Sequence, residues 1–249
     1  MRRSCLLASA VVLVLGHGWS ASAGAQPLSV GQLDLAWDDC YNGGLGGGAQ
    51  RSFACDSNDG EPIHLVLSVI TPVGLTQFIG SAAVIDFASA QTTLPDWWSF
   101  GACRASSSLT AVPPAGETSC IDLVEHSQFG GIDYAMLSTI GAPHRARLRT
   151  AYAVDASLAG PVPGDVERAL IRVTMNRART IGAGACEGCP QPVCIAANSV
   201  LLDQSDPNLP DALITQGAQL FVLWQQAEKF DCLTSVRSST WGQLKSLYR

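Results

Sequence analysis

The strongest constraint on this sequence is its cysteines, because the chain reads as exported and oxidised cysteines limit the topologies open to it. The first residues carry Arg2 and Arg3, then an apolar run from Leu6 to Leu15, then small residues with Ala-x-Ala patterns at 21–23 and 23–25. That order of charge, apolar run and small residues is a secretory signal peptide, assigned to residues 1–25. The apolar run is too short to span a bilayer of about 30 Å as a helix. Cys5 leaves with the leader, and Cys40, Cys55, Cys103, Cys120, Cys186, Cys189, Cys194 and Cys232 stay. An even set of cysteines in an exported chain predicts a disulfide framework.

Spacing alone leaves the pairing open. Cys40 and Cys55 flank a glycine-rich excursion, and Cys103 and Cys120 flank one rich in Ser, Pro and Gly, so these neighbours are the preferred partners. In "GACEGCPQPVC" (184–194), Cys189 with Cys194 and Cys186 with Cys232 is one solution, and the crossed arrangement is nearly as good. Zinc would need a fourth close ligand, and Asn198 stands where a zinc knuckle would place it. A redox C-x-x-C wants a helix start behind it, whereas Pro190 and Pro192 follow here, and Glu187 inside the motif opposes a thiolate. Structural disulfides are therefore the reading; redox or metal chemistry at Cys186, Cys189 and Cys194 is the alternative.

Removing 25 of the 249 residues leaves 224, with 13 basic against 21 acidic side chains. An acidic balance argues against nucleic acid as a partner, since phosphate binding needs clustered Lys and Arg. No later stretch approaches the about 18 apolar residues of a membrane-spanning helix. Period-two patterns recur at 32–37, 62–70, 82–87, 132–137, 146–154, 167–175, 193–202 and 218–224, separated by Gly, Pro, Asn and Asp. In the sixth, Ala169, Ile171, Val173 and Met175 alternate with Arg168, Arg172 and Thr174. Arg145, Arg147 and Arg149 alternate likewise and read as a wet strand face. Short strands with turns between them predict one all-β domain at 26–237, an antiparallel β-sandwich with disulfide-braced loops. A short C-terminal helix follows at 238–249, with Trp241, Leu244 and Leu247 on one face. It is read as docked on the sandwich, a sorting tag being the sharper alternative.

Chemical motifs are sparse. "TTLPDWWSFG" (92–101) breaks the strand rhythm with a turn or single helical turn. Trp97 and Trp98 there are either a plug closing the sandwich or a binding platform for a sugar ring. Asp56 and Asp59 in "DSNDGE" fall one residue short of a calcium loop. Asp203 and Asp206, with Asn208 and Asp211, form a second oxygen-rich stretch, and both stretches suit ordinary turns. There is no G-x-S-x-G, H-E-x-x-H or P-loop. Asp122, Glu125 and His126, with Asp133 nearby, are the best acid–base candidates, and a polar loop is their simpler explanation. No catalytic residue, metal site or cofactor is assigned.

"AVIDFASAQTTLPDWWSFGACRASS", "NRARTIGAGACEGCPQPVCIAANSV" and the closing "STWGQLKSLYR" resemble an uncharacterised family of exported bacterial proteins. The resemblance implies export and a shared scaffold, without an activity. The expectation is a secreted (periplasmic, cell-surface or extracellular) non-catalytic binding or surface protein, with a glycan or another surface protein as partner. An extracellular glycan hydrolase is the second reading.

Overall fold

The computed structural model describes residues 31–42, 48–72, 74–164 and 166–227. The leader, Cys232 and the tail at 238–249 lie outside these. Twelve strands are present among the described residues. Eight of them form the frame: β1 (Gln32–Trp37), β3 (Ile63–Ile70), β4 (Phe78–Ala88), β7 (Phe129–Met136), β8 (Arg145–Ala153), β9 (Glu167–Met175), β10 (Val193–Gln204) and β12 (Phe221–Trp224). The short strands are β2 (Gln50–Arg51), β5 (Leu109–Val112), β6 (Ile121–Asp122) and β11 (Ala212–Ile214). One sheet runs β1-β3-β9-β5 with β6 also on β9, and the other runs β2-β12-β10-β4-β8-β7 with β11 also on β10. Apart from the parallel pairs β12–β2 and β6–β9, the pairings are antiparallel. The two sheets face each other as a sandwich.

The alternation read from sequence places the core. Leu33 and Leu35, Leu65 and Leu67, Ile85 and Phe87, Leu148, Ile171 and Val173, and Ile195 are all buried between the sheets. At about 25 cal/mol per Å² of apolar surface, each such side chain contributes roughly 1.5–3 kcal/mol. One predicted face is corrected. A register shift between Leu67 and Ser68 against β9 is a β-bulge, and it puts Leu170 into the core. Ala169 then packs instead with Cys40 and Val66 in a separate small cluster.

The arginine row of β8 is also not simply wet. Arg147 reaches Asp86 of β4 through two hydrogen bonds of 2.7 and 2.9 Å, and the Asp86 side chain is only 2% exposed. Arg145 lies 3.4 Å from the same carboxylate, whereas Arg149 meets Asp133 on the exposed surface.

The two sides of the sandwich are closed differently. On the β1 side, residues 216–219 cross between the sheets, and the Leu33 and Leu35 amides donate to the carbonyls of Gln216 and Gln219 at 2.8 and 2.7 Å. This crossing leaves only Phe221–Trp224 of the predicted 218–224 strand as β12. Gly217 is required there, since a Cβ would collide with the Leu33 carbonyl. Asp34 secures the crossing by accepting the Gln219 amide at 2.6 Å, while its other oxygen, also buried, has no hydrogen-bond partner.

Burial therefore pushes the Asp34 carboxyl above its ordinary range, helped by the charge of Glu167 and opposed by the Gln219 amide. A raised acid is harmless while protonated in both folded and unfolded chains, below about pH 4. Its contribution is lost as pH rises through the folded value, because the fold must then hold a buried charge. Asp34→Asn is thus expected to gain thermal stability relative to wild type on going from pH 3 to pH 7. A melting-temperature difference independent of pH in that range counts against this assignment.

Candidate functional site

The cysteine block proves to be a clamp. Cys40 bonds Cys120, Cys55 bonds Cys189 and Cys103 bonds Cys186, with Cα separations of 6.2, 5.8 and 5.9 Å. Cys194 is disulfide-bonded as well. The preferred pairing of sequence neighbours is therefore overturned: each described bridge joins segments at least 80 residues apart. Cys186 and Cys189 have separate partners, so the C-x-x-C offers no adjacent dithiol. That corrects the redox or metal alternative at this block.

The same clamp consumes Trp97 and Trp98. They sit in a single 3₁₀ turn, Asp96–Trp98, whose Trp97 amide donates to the Glu187 carbonyl at 2.8 Å. Gly188 permits this approach, because its φ is +94° and a Cβ would strike Pro95. Trp97 stacks on Trp224 at 5.0 Å between centroids, and Trp98 meets Trp224 edge-on at 5.1 Å. Phe53 stacks on Trp224 at 4.3 Å, and the Trp224 indole N–H donates to the Cys189 carbonyl at 2.7 Å. With Trp97 and Trp98 1% and 0% exposed, neither presents a face to a sugar. The platform reading is corrected: the rings are worth more inside, where each removes a large apolar area from water.

The polar candidates do not converge. Asp122 on β6 accepts the Gly116 amide at 2.7 Å. Asp133 lies on β7 in the opposite sheet and pairs with Arg149 at 3.1 Å. Glu125 and His126 are exposed loop residues. In the first Asp-rich stretch, the Asn58 side chain accepts the Thr180 and Ile181 amides, tying that turn to the loop after β9. In the second, Asp206 accepts the Asn208 amide and Asp211 accepts the Gln204 amide, both at 2.9 Å. Among the described residues no three His, Cys, Asp or Glu side chains gather as metal ligands.

What sequence reasoning missed is the side opposite the 216–219 crossing. There β5 ends one sheet and β7 ends the other, and between them opens a groove of about 480 Å³. Phe100, Leu109, Ala111, Ile132, Tyr134 and Tyr152 line it. Its two tyrosines are locked: Tyr152 Oη donates to the Ala111 carbonyl at 2.6 Å, and Tyr134 Oη donates to the Trp98 carbonyl. Burial pushes the Tyr134 hydroxyl far up, keeping it a neutral donor. Tyr134 also meets Phe100 edge-on at 5.1 Å. Apolar groups are exposed along the mouth and the adjoining edge, with Val112 46%, Ile132 37% and Phe129 63% accessible. Beneath the floor lies Arg104, fully buried against the Trp97 and Phe100 rings.

No family model and no curated protein matches the chain. Solved structures with some likeness are cohesin modules. One belongs to a Clostridium perfringens family 33 glycoside hydrolase, at 9% identity and TM-score 0.34, covering 76% of this chain and 98% of that one. A second comes from a type I cohesin–dockerin complex of Clostridium thermocellum, at 9% identity and TM-score 0.32, covering 80% and 96%. A third is the sixth cohesin of Acetivibrio cellulolyticus scaffoldin B, at 6% identity and TM-score 0.33, covering 80% and 100%. Superpositions this loose carry no functional argument, and the architecture rests on the strand pairing itself. No helix among the described residues is long and apolar enough to cross a membrane.

Proposed function

We propose that this is a secreted, non-catalytic binding or surface protein, and that it holds a segment of a partner protein along the open β5/β7 side. The observation that carries this reading is the asymmetry of the two sides. One is sealed by the 216–219 crossing, while the other leaves two strand edges and an apolar groove uncovered by any described residue. Natural sheets blunt exposed edges with Lys, Pro or a covering segment. Among the described residues β7 has no Lys, Pro or covering segment; its one charge, Asp133, is paired with Arg149, and it carries Gly130, Gly131 and an exposed Phe129. An unpaired edge beside an apolar groove is what strand addition uses: backbone hydrogen bonds supply affinity and the groove selects side chains. The described bridges and the leader read in the sequence at 1–25 support a place outside the cytosol for such a module.

Panning a random peptide library against the wild type and a Val112→Lys/Ile132→Lys variant tests the proposal. Selected peptides are expected to bind the wild type and to lose about tenfold or more in affinity to the variant, as for residues central to an interface. Binders indifferent to both lysines would place the binding face elsewhere.

A further inference from the structure

The groove lining contains no charged side chain, yet one charge sits directly under it. Arg104 is 0% exposed, its guanidinium 4.0 Å from the Trp97 ring centroid and 4.8 Å from that of Phe100. All its hydrogen-bond partners are neutral: the Trp97 carbonyl at 3.3 Å, and the Asn176 carbonyl and side-chain oxygen. Its Nε has none, and no carboxylate pairs with it among the described residues. Burial lowers its pKa to about 10, so it stays charged in any physiological medium. An uncompensated buried cation is costly, and its field is poorly screened through the aromatic rings that lie between it and the groove. The groove is therefore electropositive at the Phe100 end. Ser106 and Ser107 flank that end with exposed hydroxyls, and Thr110 adds another.

We infer that the groove receives the free C-terminus of an extended apolar peptide, with the α-carboxylate at the Phe100–Ser106 end above Arg104 and the upstream side chains towards Val112 and Gly131. This rests on the binding-face reading and specifies its ligand. β5 starts at Leu109, beside the Ser106–Ser108 turn, so a peptide ending there runs antiparallel to β5. The edge N–H and C=O groups of β7, and those of β5 other than the Ala111 carbonyl that Tyr152 already occupies, favour a peptide over a fatty acid, because a hydrocarbon chain leaves them unpaired.

The probe is the fluorescein-labelled peptide Thr-Val-Thr-Val-Thr-Val, made with a free α-carboxylate and as the α-amide, with decanoate as a third ligand. Fluorescence anisotropy is expected to find the acid about tenfold tighter than the amide, from attraction through the poorly screening floor without a direct hydrogen bond. Arg104→Met should bring the ratio to about one. Because that variant changes the core, Thr110→Asp provides the second arm: it adds a carboxylate to the exposed rim and should bring the acid-to-amide ratio below one, a ratio that a loss of affinity common to both peptides does not move. An amide equal to the acid overturns the C-terminus inference and leaves the binding face standing. Decanoate as tight as the peptide acid overturns the choice of a peptide. Failure of both peptides to bind overturns this inference, and the panning experiment then judges the broader reading separately.

Discussion

Trp224→Ala is expected to destabilise the domain by about 4–5 kcal/mol, the largest effect of any single substitution considered. Truncating a buried Trp ordinarily costs about 3–5 kcal/mol through lost transfer energy and the cavity left behind. Here the ring is the hub of the aromatic cluster: Trp97 and Phe53 stack on it, and Trp98 and Trp37 contact it at 5.1 and 6.0 Å. Its removal also strands the Cys189 carbonyl, which loses its indole donor. For a domain of this size the cost corresponds to a fall of roughly 10–15 °C in melting temperature, measurable by calorimetry. Phe129→Ala, at an exposed position, serves as the reference and should lie within about 0.5 kcal/mol of wild type. A Trp224→Ala variant that melts with that reference would mean the cluster does not organise the fold.

Loss of the Cys55–Cys189 bridge through Cys55→Ser/Cys189→Ser should cost nearly as much. The bridge spans a sequence separation of 134. On the chain-entropy model a loop that long contributes about 4–5 kcal/mol, against about 3 kcal/mol for a 15-residue loop between neighbours. The other bridges already constrain the unfolded chain, so the figure is an upper value. Its loss also frees the segment holding Phe53 from the loop that contacts Trp97 and Trp224. Thermal unfolding of the double variant beside wild type gives the magnitude, and non-reducing peptide mapping gives the connectivity. Linked peptides carrying Cys55 with Cys189 and Cys103 with Cys186 are expected. Recovery of Cys40 with Cys55 would overturn the clamp.

Much of the architecture was legible because strand burial has a period of two. Gln32–Trp37 and Glu167–Met175 carry their boundaries in their alternation, and β4, β7, β8 and β10 overlap their predicted segments. β5 has no readable signal in the sequence, since four residues give too few alternations to stand out, and it forms one wall of the groove. The eight cysteines beyond the leader-like opening pointed to oxidised bridges, since the number and spacing of cysteines are properties of the chain alone. Partners were another matter. A disulfide needs Cα atoms roughly 4.4–6.8 Å apart, and distances between segments 80 or more residues apart exist only once the sheets have paired. Proximity in sequence suggested Cys40 with Cys55, and folding brought Cys120 to Cys40 instead.

The same distinction governs the site. Trp97 and Trp98 were marked as important by their size, but whether such rings end in a core or on a surface depends on what the opposite sheet and the Cys186–Cys194 loop place against them. The lining of the groove was invisible for a related reason: alternation identifies the two faces of a strand and carries no information about its two edges. Which edges stay uncovered follows from strand order, here from β5 and β7 ending their sheets on one side while the 216–219 crossing closes the other. Local chemistry thus prescribed the longer strands and, apart from the bulge at Leu170, the alternation of their core residues, while long-range pairing selected the bridges, buried the tryptophans and left one side uncovered among the described residues.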